Sequence, residues 1–330
     1  MKAVVFDRFG PPGQVLQLRD IPEPMPGPGE VKVRMLASPI NPSDLLYIEG
    51  QYGLKPPAFP ATPGFEGVGI VVANGGGLIG RLRMGKRVAV LNDRNGNWGE
   101  FSVASSKQVI PIPAEIPDEQ AASFFVNPAT AIALTERSLF VPPGEWLLQS
   151  AAGSSLGKMI INCARLKGFR TINVVRRAEQ IDELKKFGAE EVILEKDGIA
   201  EQVKRITGGA GVKFALDPVG GATGTQVIQS LGGGGTCVLY GLLSGEPVSV
   251  DPRRLITGSK TVRGFWLADW MATLGLVQKL LLISQIRGMM KAGILRTETG
   301  TAYPMERVRD AVGEAAAPGK AGKVLLTFGP

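Results

Sequence analysis

The chain of 330 residues contains no histidine. That absence removes a histidine general base, any Ser-His-Asp triad and every imidazole ligand for zinc. Cysteine is nearly missing as well. Cys163 and Cys237 stand at no metal-ligand spacing, each within an apolar stretch, and read as small core residues. No metal is therefore expected. The N-terminus has no apolar leader and no Arg/Ser-rich transit segment, since Met1-Lys2-Ala3-Val4-Val5 runs directly into a strand pattern; a cytoplasmic, reducing compartment is the default expectation. Lys279, Gln285 and Arg287 interrupt the apolar Met271–Met290 stretch, leaving no run long enough to span a bilayer, so no membrane partner is expected. Basic residues are scattered and not interleaved with aromatics, which argues against nucleic acid. The net charge of +7 suits polyanionic ligands such as nucleotides, CoA or an acidic carrier protein without requiring them.

What is present is glycine, 44 residues, and proline, 24, a turn-rich balance that favours α/β or β-rich architecture over a helical bundle. The length allows two domains, each with its own core. Residues 1 to 126 carry short alternating or apolar runs at Ala3–Phe6, Val31–Ala37, Val68–Ala73, Arg87–Leu91, Glu100–Ala104 and Gln108–Ile112, separated by Pro/Gly punctuation. This pattern predicts a partly closed β-barrel. Asn74-Gly75-Gly76-Gly77 reads as a turn with no helix pattern after it. The long, proline-rich stretch from Ile40 to Glu66 is the irregular segment most suited to function.

From Ala129 the period changes. Helical patterns alternate with apolar runs at Trp146–Gln149, Thr171–Val175, Glu191–Leu194, Lys213–Leu216, Thr236–Tyr240 and Thr261–Trp266, which predicts a doubly wound parallel sheet. Gly232-Gly233-Gly234-Gly235 reads as a turn between a helix and the fifth of these strands. Met271–Met290 reads as a buried amphipathic helix returning the chain to the first domain, and Val324–Phe328 as a closing strand. The expected division is a barrel domain of residues 1–126 and 270–330 with a nucleotide domain of 127–269 inserted. The active site is expected in the cleft between them.

Gln149–Arg177 carries the clearest chemistry. A strand, a loop of small residues (Ser150 to Ser155), a helix opening at Leu156-Gly157 and a second strand make a βαβ unit. The helix N-terminus offers free N–H groups and a partial positive charge to a pyrophosphate. The dinucleotide fingerprint is present in relaxed form as Ala152-x-Ser154-x-x-Gly157. Where NAD-binding chains place a carboxylate, about 20 residues beyond the loop, this one has Arg176-Arg177. A guanidinium fork suits the 2′-phosphate of NADP; a solvated basic strand end is the alternative.

Several motifs resemble those of the medium-chain dehydrogenase/reductase superfamily across nearly the whole chain: Gly64-Phe65-Glu66-Gly67-Val68-Gly69, Val126-Asn127-Pro128-Ala129-Thr130-Ala131, Pro143-Gly144 and Leu216-Asp217-Pro218-Val219-Gly220-Gly221. The ligand sets of zinc-dependent members cannot be assembled. Within the superfamily, Ile40-Asn41-Pro42-Ser43-Asp44, Gly50-Gln51-Tyr52-Gly53-Leu54, Arg170–Arg176 and Arg263-Gly264-Phe265-Trp266-Leu267-Ala268-Asp269-Trp270 are similar to the NADPH-dependent 2-enoyl thioester reductases of the mitochondrial type. The cofactor loop departs from that family, with Gly153-Ser154-Ser155-Leu156 where Asn-Ser-Gly-Val is commoner.

The resemblance implies an α/β fold of a GroES-like partly closed β-barrel domain plus a Rossmann domain. It also implies NADPH as cofactor, an acyl thioester on CoA or an acyl carrier protein as substrate, and a homodimer. Tyr52 matches the catalytic tyrosine, while Tyr47 suits a structural role better. Asn127 matches a contact on the nicotinamide side; helix capping is its competing role. Gly153, Ser154, Ser155, Leu156, Arg176 and Arg177 would hold phosphates. Tyr240, Gly241, Leu242 and Leu243 match a loop lining the cofactor, and Phe265, Trp266 and Leu267 match the segment beside the nicotinamide, with core packing as the alternative for Trp266. Lys323 matches a terminal basic cofactor contact. Asn41 and Asp44 suit an Asx turn shaping the Tyr52 loop without a catalytic part. A zinc-independent NADPH:quinone oxidoreductase is the alternative function, and cofactor binding without catalysis a non-enzymatic one.

Overall fold

A computed structural model describes residues 1–329. Seven strands come first: β1 (Lys2–Val5), β2 (Gln17–Asp20), β3 (Glu30–Pro39), β4 (Glu66–Asn74), β5 (Arg87–Leu91), β6 (Phe101–Ser105) and β7 (Val109–Pro111). Six follow: β8 (Trp146–Gln149), β9 (Arg170–Val175), β10 (Glu191–Leu194), β11 (Val212–Asp217), β12 (Leu231–Leu239) and β13 (Thr261–Gly264). The last two are β14 (Thr299–Pro304) and β15 (Lys323–Thr327). The chain forms two compact units, Met1–Val126 joined by the chain from Thr297 onward, and Asn127–Arg296. Residues 270–296, expected in the barrel domain, pack instead with the nucleotide unit.

In the first unit, alternation in β3 buries Val31, Val33 and Met35 on one face. β3 pairs antiparallel with β4, β6 and β15, so the chain's late strand closes the sheet of its early ones. The order is β14-β15-β3-β4-β5-β7, with β6 also on β3, and β1-β2 form a separate ribbon; the barrel is not closed. Trp98 and Phe6, both fully buried, anchor the core. The Asn74–Gly77 turn is present, but contrary to expectation a short helix, Leu78–Arg83, follows it. Its Leu78, Ile79 and Leu82 face solvent, so no apolar periodicity announces it.

The second unit is a six-stranded parallel sheet in the order β10-β9-β8-β11-β12-β13. In sequence rank that is 3-2-1-4-5-6, a doubly wound Rossmann arrangement whose order reverses between β8 and β11. After the Ser150–Ser155 loop, Leu156, Ile160, Cys163 and Ala164 are buried as one stripe of the Ser155–Lys167 helix. Burial pushes the Cys163 thiol up to about 12 and raises that of Cys237, so both are inert core groups.

Two expectations fail here. Gly232–Gly235 lie inside β12, where the pairing with β11 jumps between Val212/Leu231 and Phe214/Thr236, so the glycines form a bulge and not a turn. The Met271–Met290 helix is two helices, Leu267–Thr273 and Leu276–Lys291, and the second is not buried throughout: Leu276, Val277, Leu280 and Leu281 are exposed. Among the described residues no helix is long and apolar enough to cross a membrane.

Candidate functional site

Five chain segments end at one edge of the parallel sheet: Ser150 after β8, Arg176 after β9, Pro218 after β11, Tyr240 after β12 and Phe265 after β13. Ligands of doubly wound sheets sit beyond this carboxyl edge, at the point where strand order reverses. Most residues singled out from the sequence for cofactor binding therefore share that edge. Asn127, on the Val126–Ile132 helix, does not follow one of these strands, and Lys323 and the catalytic candidate Tyr52 belong to the first unit.

The loop after β8 is built for close approach. Ser154 caps the helix, its Oγ accepting from the Gly157 N–H at 3.1 Å. A Cβ on Gly157 would lie 2.5 Å from the Ala152 carbonyl oxygen and 2.7 Å from the Ala152 Cα, so only glycine fits there. Ala151 adopts φ 50°, a left-handed conformation that usually falls to glycine. Gly153, Ser154 and Ser155 are half-buried and Leu156 is buried, so the three small residues face outward above an apolar foot.

Beneath the loop lie three polar groups to which the sequence reading gave no role. Gln149 is fully buried; its Nε2 donates to the Gly157 carbonyl at 3.1 Å and to Asn173 Oδ1 at 2.8 Å, tying the helix start to β9. Asp217 at the end of β11 accepts from the Ser150 hydroxyl and from the Gly220 N–H, the latter at 2.8 Å. Burial raises its pKa against these bonds. The available signal was polar residues closing otherwise apolar strands.

Arg176 and Arg177 are exposed, and neither guanidinium is engaged by a carboxylate among the described residues. The nearby cation Lys158 is different: it pairs with Glu183 at 2.6 Å. The two arginines are the uncommitted positive charge at the end of β9. Tyr240 as a residue is half-buried, yet its hydroxyl is enclosed and has no hydrogen-bond partner. Burial, with Asp217 adding to it, raises that phenol's pKa, so it stays a neutral donor. Gly241 runs so close to Pro218 that a Cβ would meet its carbonyl oxygen at 2.8 Å, while Leu242 and Leu243 are exposed beyond it. Phe265 hangs from the Leu239 carbonyl by its N–H at 2.8 Å, and Phe265, Trp266 and Leu267 are half-buried. A backbone cradle that only glycine permits, an orphaned hydroxyl and two free arginines fit a phosphorylated dinucleotide. Asn127 lies within the Val126–Ile132 helix, so it is not the N-cap its competing role required.

In the first unit Tyr52 is half-buried. Its N–H donates to Leu46 O at 3.1 Å, and its ring lies 5.2 Å from that of Phe65. Tyr47 is 3% exposed, edge-on to Phe6 and Phe65, which is the structural role expected of it. Asn41 caps the Pro42–Glu49 helix, and Asp44 Oδ2 accepts from the Asn41 N–H at 2.7 Å. Lys323 requires a correction. Its side chain is buried, and its ammonium donates to Asn41 Oδ1 at 2.7 Å, so its charge is held inside the unit rather than offered to a cofactor. Asn41 Nδ2 donates to Glu66 Oε1 at 3.0 Å, and Glu66 Oε2 accepts from the Val126 N–H at 3.0 Å. Burial carries the Asp44 pKa up to about 7 and raises that of Glu66, while it lowers that of Lys323. Among the described residues no group of three or more His, Cys, Asp or Glu is placed to hold a metal.

Comparison with known proteins agrees with this layout. The alcohol dehydrogenase GroES-like domain matches residues 27–114, and the zinc-binding dehydrogenase family matches residues 155–281. The human mitochondrial enoyl-[acyl-carrier-protein] reductase is 34% identical over 99% of this chain and 89% of its own length. Escherichia coli quinone oxidoreductase complexed with NADPH is 26% identical, with TM-score 0.88 over 99% of this chain and 100% of that one. A complex of Etr1p with NADP and crotonyl-CoA is 26% identical, with TM-score 0.84 over 99% of each chain.

Proposed function

Because the chain belongs to the medium-chain dehydrogenase/reductase superfamily of oxidoreductases, we propose that it reduces the 2,3 double bond of a trans-2-enoyl thioester with NADPH. The observation that carries the enoyl reading is a held, half-exposed Tyr52 in a chain 34% identical to an enoyl-[acyl-carrier-protein] reductase. Reduction of a quinone also consumes a proton, but it goes to an oxygen that water can protonate, so that reaction does not call for a positioned tyrosine.

NADPH, when bound, supplies a hydride for the β-carbon of the substrate. The protein supplies position and protons. The amides of Gly153 and Ser155, at the capped start of the following helix, would take the pyrophosphate, while the Ser154 N–H is held by the Ala151 carbonyl at 2.9 Å. Arg176 and Arg177 take the 2′-phosphate by charge-assisted hydrogen bonds. The enclosed Tyr240 hydroxyl has one donor to offer the sugar or amide side of the nicotinamide. Reduction at the β-carbon leaves negative charge on the thioester oxygen, and the α-carbon then needs a proton. In a chain without histidine, the Tyr52 phenol is the group we assign to that step.

Tyr52→Phe tests the assignment. Turnover of crotonyl-CoA should fall by roughly 100-fold or more, a usual loss for a general acid, with NADPH binding unchanged. The quinone reading draws support from the Escherichia coli structure. It would replace ours if a panel of crotonyl-CoA and small quinones, run with NADPH and with NADH, showed strong quinone turnover that survives Tyr52→Phe and no enoyl reduction.

A further inference from the structure

The stretch 41–66 leaves and re-enters the core at two points, and one buried group of side chains holds both. Asp44 has one oxygen for each: Oδ2 accepts from the Asn41 N–H at 2.7 Å where the segment begins, and Oδ1 from the Phe65 N–H at 3.0 Å where it ends. The Asn41 amide then links Glu66, on the outgoing strand β4, to Lys323 on β15. All four side chains are at most 6% exposed. Tyr52 hangs from this frame at two places. Its backbone donates to Leu46 in the helix that Asn41 and Asp44 start, and its ring packs on Phe65, whose N–H Asp44 holds. Burying two carboxylates and an ammonium is a poor route to stability, since apolar side chains of similar volume serve as well or better. What charged groups with full hydrogen bonding add is a single geometry.

We propose that Lys323, Glu66, Asn41 and Asp44 form an ionic latch that positions Tyr52 for proton transfer. None of the four touches substrate; they are positioning residues. The proposal rests on the catalytic reading of Tyr52, and its test separates the two.

The test pair is Lys323→Met with Glu66→Gln, which removes one charge of each sign. The milder Asn41→Ser, which deletes the bridging amide but keeps a side chain able to cap the Pro42–Glu49 helix, serves as the second variant. With crotonyl-CoA, kcat should fall roughly 10- to 100-fold, as misplacement of a reacting group by about 1 Å does, while the NADPH dissociation constant stays put. In a Tyr52→Phe background the same substitutions should cost nothing further. An equal loss with and without the tyrosine overturns the latch. So does a loss confined to NADPH affinity, which would return Lys323 to cofactor contact. Fluorotyrosine labelling gives a readout independent of turnover, because the chain has four tyrosines and Tyr52→Phe assigns one ¹⁹F line. That line should shift or broaden in the latch variants; an unmoved line overturns the proposal. Full activity in Tyr52→Phe together with a moved line would keep the latch and refute only the catalytic reading.

Discussion

Gly157→Ala sets two effects of opposite sign against each other. Alanine is the better helix former, and inside a helix the exchange is worth up to about 1 kcal/mol. Here the new Cβ would meet Ala152 at three backbone atoms, at 2.5, 2.7 and 2.7 Å. Backbone cannot swing aside as a side-chain tip can, so loop or helix must retreat by about 1 Å, and overpacking of this kind costs roughly 1–3 kcal/mol. The clash wins. The strain falls on the segment that carries the Gly153 and Ser155 amides proposed for the pyrophosphate, because Ser154 and Gly157 are hydrogen-bonded to each other. The NADPH dissociation constant should rise about 10- to 100-fold, corresponding to about 1.4–2.7 kcal/mol, with a lowered melting temperature. Titration of NADPH fluorescence beside a thermal scan measures both. An unchanged affinity in a protein that melts higher than wild type would refute the reasoning, because propensity would then have outweighed contact and the loop would not be the phosphate cradle.

Arg176→Asp should lower the ratio of NADPH to NADH efficiency by roughly 10- to 100-fold, the worth of a charge-assisted hydrogen bond; a constant ratio in side-by-side kinetics removes the arginines from cofactor choice. Asp44→Asn should change how stability follows pH. Burial lifts the Asp44 carboxyl from 3.8 to about 7 in the fold, so the folded state binds this proton more tightly. That stabilisation is complete below pH 3.8 and is lost as pH rises through about 7, by up to about 4 kcal/mol. Denaturation midpoints at about pH 5 and pH 8 should therefore show wild type losing ground to the variant as pH rises, and a constant gap would show that Asp44 does not titrate there.

Legibility in the sequence followed the physics of each segment. Arg87–Leu91, Trp146–Gln149 and Glu191–Leu194 form strands with the expected bounds, because apolar runs between turn residues leave a short buried strand little alternative. β2 escaped notice: its four residues, Gln17–Asp20, are mostly polar and pair only with β1. The Leu78–Arg83 helix and the front of Leu276–Lys291 expose their leucines, so their patterns point the wrong way. The glycine run in β12 shows the same limit, since a bulge and a turn ask for the same residue. At the candidate site, the need for glycine at position 157 could be read because the contact that imposes it, with Ala152, is local. Glu66 and Lys323 could not. Their partnership runs through Asn41, which lies 282 residues from Lys323, and no local pattern reports it.

The position of β15 in the first sheet has a consequence for how the protein is made. β15 lies between β14 and β3, and both late strands emerge from the ribosome after the whole of Asn127–Arg296. The usual vectorial order, N-terminal domain first, is reversed. A nascent chain halted just after Arg296 has the whole nucleotide unit, but in its first unit the Ala37–Pro39 end of β3 lacks its β15 partner and Asn41 lacks the Lys323 ammonium. Open strand edges recruit other strands, so until β15 arrives the early part of this chain keeps a place where a foreign strand could pair.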